Sequence, residues 1–199
     1  MMEGIVKFNP IQEACNIVSE NGFRVIDFWR SKLFDLKQIG VYEKGDLKGI
    51  GYGNISIRQK IGFIISGSQT GGTKRLERKH YLQALKWDFQ KNELIYNGTI
   101  VPSSESLTHA AVYDSSVKVG AVIHIHNKTL WEKLKNRVPT TSSNVSYGTP
   151  EMAREIRRLF RETEVQKHKI IVMAGHEEGI LTFGKTLNLA GETLLSYLF

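Results

Sequence analysis

Apolar and polar positions along the chain change rhythm several times, and each change marks an element. Asn9-Pro10 reads as a helix start and Asn21-Gly22 as its stop, which predicts a first helix over "IQEACNIVSE". A second helix is predicted over "DFWRSKLFDLKQ", ending at Gly40. The rhythm then shortens. "NISIRQ" and "GFIISG" are brief alternating or apolar runs broken by Gly, and "HYLQALKWDF" and "ELIYNG" read as two more strands. After Pro102, "SSESLTHAAVYDS" begins with serines, carries an acid in its first turn and continues with helical spacing, so a helix is expected from about Ser104. "VGAVIHIHN" reads as a strand, and Thr149-Pro150-Glu151 opens the helix "PEMAREIRRLFRET". "HKIIVMAGHEEGILTFG" reads as two strands joined by a turn at 175–178, and "TLNLAGETLLSYLF" as a final helix. Helices at both ends of a β-rich centre predict an α/β sandwich, with a strand order that periodicity alone leaves open.

The 199 residues suit one domain, with no repeat, low-complexity tract or linker, and 41% hydrophobic with 24% charged is a globular composition. No apolar run has the length of a membrane span, and the opening "MMEGIVKFNP" lacks the apolar stretch of a signal peptide, so a cytoplasmic protein without membrane partners is expected. Cys15 is the only cysteine, which excludes an intrachain disulfide and leaves any metal to His, Asp or Glu. The net charge of +7 raises nucleic acid as a partner. Its distribution argues the other way: the densest basic stretch, "TKRLERKH", is short and lacks aromatics, and elsewhere cations alternate with acids.

Three places carry polar groups that a core does not need. In "AVIHIHN", His124 and His126 lie two apart on a strand, so both project to one face while Ile123 and Ile125 project to the other. Such a pair is either hydrogen-bonded core or two ligands for one ion. In "AGHEEG", His176 sits on a Gly-flanked turn after an apolar strand, where it is exposed or closes a three-histidine face that leaves room for substrate. Glu177 and Glu178 beside it read as solvated acids or as partners to a ligand. In "PSSES", Glu105 is a helix-terminal acid or a proton carrier beside a metal, and Ser103 and Ser104 offer the hydroxyls and backbone N–H groups that a phosphate takes at a helix start. "GYGNIS" and "ISGSQTGG" supply two further Gly/Ser/Thr loops suited to an oxyanion, without a Walker lysine or dinucleotide fingerprint. His109, four residues after Glu105, reads as a structural partner rather than a ligand.

In order, "GNISIR", a Gly/Ser/Thr loop after a strand, "VPSSES", "AVIHIHN", "YGTPEMA" and "GHEEGILTFG" resemble the class II aldolase/adducin family, whose best-known enzyme is L-fuculose-phosphate aldolase. The resemblance covers roughly residues 30–198. It implies a three-layer α/β/α sandwich with a central, mostly antiparallel sheet, and a homotetramer with active sites near subunit contacts. It further implies Zn2+, or another divalent transition metal, on His124, His126 and His176, with Glu105 as general acid/base. Asn54, Ser66, Gly67, Ser103 and Ser104 fall where the family holds substrate phosphate. The implied reaction is cleavage of a small phosphorylated ketose to dihydroxyacetone phosphate and an aldehyde through a metal-stabilised enediolate. The family also contains a methylthioribulose-phosphate dehydratase, sugar-phosphate 4-epimerases, which carry Asp where this chain has Glu105, and non-catalytic adducin-like modules that lack the histidines. Two departures stand out: "SGSQTGG" is longer than the family's phosphate turn, and Tyr197 does not match the tyrosine of the family's C-terminal tail.

Overall fold

The computed structural model describes residues 5–199; the first four residues, part of the segment read above for a leader, lie outside the described residues. Its centre is an eight-stranded sheet ordered β1-β7-β6-β5-β4-β8-β10-β9. The strands are β1 (Asn9–Ala14), β4 (Asn54–Arg58), β5 (Phe63–Ser66), β6 (Tyr81–Asp88), β7 (Glu93–Gly98), β8 (Ala121–His126), β9 (Ile170–Val172) and β10 (Gly179–Gly184). A two-stranded hairpin, β2 (Gly40–Val41) and β3 (Gly51–Tyr52), stands apart from it. Only the β1–β7 pair is parallel; the six other pairings are antiparallel, the expected mostly antiparallel sheet.

Helices cover both faces. On one, α2 (Ser106–Ser115) and α4 (Pro150–Glu162) bury Leu107, Ala111, Met152 and Ile156 against Phe63, Leu82, Val122 and Leu181. On the other, α1 (Glu20–Asp35) and α6 (Leu187–Leu198) bury Ile26, Leu33, Ala190 and Leu194 against Ile55, Ile123, Ile125 and Ile180. The short helices α3 (Lys128–Leu134) and α5 (Val165–His168) complete the fold. Removing one such aliphatic side chain from water contributes roughly 1.5–3 kcal/mol. The isoleucines of β8 thereby offset part of the cost of holding two imidazoles on the strand's opposite side.

The predicted first helix is corrected. Residues 9–14 form a strand, and α1 begins at Glu20, running through Asn21-Gly22 instead of stopping there. Two tertiary demands override the local signals. The outer edge of β7 accepts a partner, and Pro10 is tolerated because β1 is itself an edge. Gly22 is required by contact rather than by a turn: a Cβ there would stand 2.6 Å from Ile64 Cδ1, so the missing side chain lets α1 lie on the sheet. Cys15 therefore follows a strand and is exposed. Asn127 does more than end β8, since its Oδ1 accepts from Leu130 N at 2.9 Å and caps α3, a helix the periodicity did not predict. Among the described residues no helix is long and apolar enough to cross a membrane.

A candidate metal centre beside an oxyanion cleft

β8 is the source of the site. All six of its residues are buried, and the strand alternation places His124 and His126 on the same side. β10 pairs antiparallel beside it, with Gly179 opposite His126, so the turn between β9 and β10 delivers His176 to the same end. That turn is closed by His176 N to Met173 O at 3.0 Å and Gly179 N to His176 O at 2.9 Å. It fits only because Gly175 lacks a side chain, whose Cβ would lie 2.0 Å from Val145 O. One ring nitrogen from each of His124, His126 and His176 lies within 4.8 Å of the others, and all three residues are buried.

The hydrogen bonds argue that these nitrogens present lone pairs. His124 Nδ1 lies 3.2 Å from the carbonyl of Ile180, which can only accept, so Nδ1 carries the proton. Tyr42 Oη donates to Glu178 Oε2 at 3.2 Å, which leaves it to accept from His126 Nδ1 at 2.7 Å. The Nε2 atoms of His124 and His126 then face each other at 3.1 Å without a proton of their own. Two nitrogen ligands on a tetrahedral ion at about 2.05 Å stand about 3.3 Å apart, so this spacing suits one cation better than none. Burial and the neighbouring rings of His176 and His124 hold His126 well below its ordinary pKa, in the neutral form a ligand needs.

Glu105 supplies the second fit. It occupies the N-cap position of α2 but makes no capping bond; instead its carboxylate is turned inward, 1% exposed, with Oε1 3.1 Å from His176 Nδ1. Neither carboxylate oxygen has a well-formed hydrogen bond among the described residues. Burial raises its pKa, but the facing His176, with His124 and Thr108, outweighs that and lowers it to about 2. Its ionised form is thus favoured only where positive charge faces it, on the His176 and His124 rings themselves or on an ion held in their place.

Glu105, His124 and His126 also line a narrow cleft with Gly51, Tyr52, Asn54, Gly67, Ser68, Gln69, Thr70, Gly71, Ser103 and Ser104. Asn54 Nδ2 donates to Ser103 Oγ at 2.9 Å, tying β4 to the serine turn. Of the five residues expected around a phosphate, Asn54, Gly67, Ser103 and Ser104 line this cleft. Ser66 does not, because it still belongs to β5, where its hydroxyl accepts from Ile55 N at 3.3 Å and it is 2% exposed. The Gly67 amide is also taken, donating to His80 O at 2.9 Å, so the loop reaches the cleft through the residues after it.

Sequence reasoning missed the aromatic surround. Tyr52 stacks on His126 with centroids 5.4 Å apart, Tyr147 stacks on His176 at 4.5 Å, and Tyr42 joins His126 to Glu178. Tyr147 lies within "YGTPEMA" and Glu178 is one of the two acids of the His176 turn, but nothing in the hairpin sequence marks Tyr42. Glu177 pairs with Lys128 at the surface. His109 is buried under the sheet, where Ser56 Oγ meets its Nδ1 at 2.7 Å, and burial lowers its pKa to about 3. Tyr197 packs in α6 against the α1-side core, away from the cleft. The basic stretch at 73–80 is partly neutralised, with Lys74 on Asp35 at 2.7 Å and Lys79 on Glu77 at 3.1 Å.

Tyr42→Phe is expected to weaken divalent-metal binding about 10–100-fold, because it removes the acceptor that orients His126. Chelator competition on the purified variant measures it, and an unchanged affinity would mean that Tyr42 does not orient a ligand.

The fold resembles solved aldolases of low sequence identity. L-fuculose 1-phosphate aldolase superposes with a TM-score of 0.66 at 19% identity, covering 91% of this chain and 84% of that one. The L-fuculose-1-phosphate aldolase of Thermus thermophilus gives 0.62 at 19% identity, covering 90% and 87%. A sugar-phosphate aldolase from Thermotoga maritima gives 0.63 at 14% identity, covering 89% and 90%. At these identities the likeness is one of fold. The model of the class II aldolase and adducin N-terminal domain matches residues 41–196, and on that match the chain belongs to the class II aldolase and adducin family.

Proposed function

We propose that the chain is a divalent-metal-dependent lyase that cleaves a small phosphorylated ketose to dihydroxyacetone phosphate and an aldehyde. The observation that carries this is the position of Glu105, whose carboxylate stands 3.1 Å from His176 where the three-histidine cluster meets the serine-lined cleft. His124, His126 and His176 would hold zinc or another divalent transition metal. When bound, the ion supplies Lewis-acid stabilisation of the negative charge that develops on the substrate's ketone oxygen. Three neutral imidazoles leave that ion its full charge.

Asn54, Ser103, Ser104 and the loop from Gly67 to Gly71 bind the phosphate and fix the carbon chain relative to Glu105. In cleavage, the hydroxyl on the fourth carbon gives its proton to Glu105 as its oxygen becomes the aldehyde carbonyl, the bond between the third and fourth carbons breaks with its electron pair moving toward the ketone oxygen, and Glu105 then delivers that proton to the third carbon. In the reverse direction Glu105 removes that proton, for which a carboxylate already ionised is suited. Following the family resemblance, the working form is a homotetramer.

The test is a panel of ketose 1-phosphates incubated with chain reconstituted with Zn2+, Mn2+ or Co2+, with both cleavage products quantified. Metal-dependent formation of dihydroxyacetone phosphate is the expected result. Dehydration or 4-epimerisation without cleavage would reassign the reaction within the family, and a chain that takes up no metal would favour an adducin-like scaffold.

A further inference from the structure

Helix α1 places a residue in the interior that a helix surface seldom buries: Arg30 is 1% exposed. Its guanidinium is spent on backbone carbonyls. Nη1 donates to Lys74 O at 2.7 Å, and Nη2 donates to Thr70 O at 2.8 Å and to Gly71 O at 3.1 Å. No carboxylate lies within 4.0 Å of it among the described residues. Asp27, one turn earlier on the same helix, instead accepts from Leu76 N at 3.3 Å and from Tyr81 Oη at 3.2 Å. Burial lowers the Arg30 pKa from its ordinary value, the mark of a charge set in a poorly solvated place.

The accepting carbonyls belong to the segment that follows β5, and Thr70 and Gly71 line the cleft beside Asn54, Ser103 and Ser104. In a trans peptide the C=O of one residue and the N–H of the next point in opposite directions. With the carbonyls of Thr70 and Gly71 drawn toward Arg30, the amides of Gly71 and Gly72 are directed away from it. Neither amide donates to another group among the described residues. Gly71 is packed too closely for any side chain: a Cβ there would lie 2.0 Å from Gly40 O and 2.9 Å from the Cα of Gly51, itself a cleft residue, so the bare backbone stands against the cleft wall. Thr70 Oγ1 holds a further loop carbonyl, that of Gly67, at 2.9 Å. The result is a short run of N–H groups backed by a buried cation that Asp27 balances only from beyond ion-pair distance, a concavity for an anion.

We infer that Arg30 is the positioning residue of the substrate's phosphate subsite: it turns the carbonyls of Thr70, Gly71 and Lys74 inward and sets a buried positive charge behind the Gly71-Gly72 amides, which bind a phosphate monoester dianion. This rests on the phosphate-bearing substrate proposed above. It also accounts for the longer "SGSQTGG" loop, which has to reach back to α1 as well as forward to the cleft.

Inorganic phosphate is the probe. Its dissociation constant is measured by calorimetry for the wild type, Arg30→Lys and Arg30→Gln, and divalent-metal affinity is measured in parallel by chelator competition. Saturable binding to the wild type is expected, weakened at least about tenfold by Arg30→Gln and to an intermediate degree by Arg30→Lys, with metal affinity unchanged. Arg30→Lys keeps the charge on a single donor nitrogen without the planar fork, and decides the matter if Arg30→Gln fails to fold. Folded variants that bind phosphate as the wild type does would overturn the assignment while leaving the proposed reaction standing. A parallel loss of metal affinity would overturn it in favour of a general structural role. No phosphate binding by the wild type would overturn the phosphate-subsite reading itself, and this inference with it.

Discussion

Glu105→Gln is expected to lower turnover of the ketose phosphate by about 10²–10⁴-fold, the usual contribution of a positioned general acid or base. The substitution is close to isosteric and keeps an oxygen able to face His176 at the present 3.1 Å, so the third histidine stays where it is. What disappears is the ability to take up and return a proton. Metal content should therefore stay near that of the wild type, and KM should move much less than kcat, because the residues proposed to hold the phosphate, Asn54, Ser103 and the loop, are untouched. Steady-state kinetics with parallel metal analysis makes the check. Unchanged turnover would remove Glu105 from the reaction and move attention to Tyr42, the nearest hydroxyl-bearing neighbour of His126 at 2.7 Å.

The second large effect is expected at a ligand. His126→Ala should reduce divalent-metal affinity by more than about 100-fold, exceeding the 10–100-fold assigned to Tyr42→Phe, since it deletes the donor atom rather than the contact that aims it. Turnover should fall to background for the same reason. His126 is the more telling choice than His176, because it stands 3.1 Å from His124 and the two Nε2 atoms define where an ion can sit. Truncation also removes the ring against which Tyr52 stacks, so thermal unfolding of the metal-free variant is measured alongside. Metal analysis after exhaustive dialysis decides the outcome. A folded variant that retains one equivalent of metal would place the ion elsewhere.

Much of the candidate site was legible because its residues sit at positions where the chain has little freedom. A two-residue spacing in a strand forces His124 and His126 to one side, and a glycine-flanked turn after an apolar run left His176 only the strand end to occupy. Glu105 was visible as an acid at a helix start. The contacts around these groups were not legible, because they come from pairings between distant segments. Tyr42 reaches His126 across 84 positions through a hairpin whose glycines, Gly45 at φ 73° and Gly49 at φ 85°, signal turns but not their destination. Ser66 shows the limit of a motif read by neighbourhood: one residue earlier than the loop, it is held in the ladder opposite Tyr81 and faces no cleft. The same limit misled the reading of residues 9–20. Pro10 and Gly22 read locally as helix punctuation, whereas one lies in an edge strand and the other makes a close helix-to-sheet contact.

The placement of His176 has a consequence for how the molecule holds together. β10 lies between β8 and β9, and the three donors are drawn from a middle strand and from the turn that joins the last two strands. Only a chain with that end of the sheet assembled brings them within reach of one another, whereas an unfolded chain offers single imidazoles. A ligand that discriminates in this way adds free energy to the folded state by mass action, about 2.7 kcal/mol when its concentration is a hundred times its dissociation constant. With a metal on the three histidines, as proposed, the melting temperature is expected to rise with free metal, and the same residues would act as a clasp between the centre of the chain and its carboxyl-terminal third.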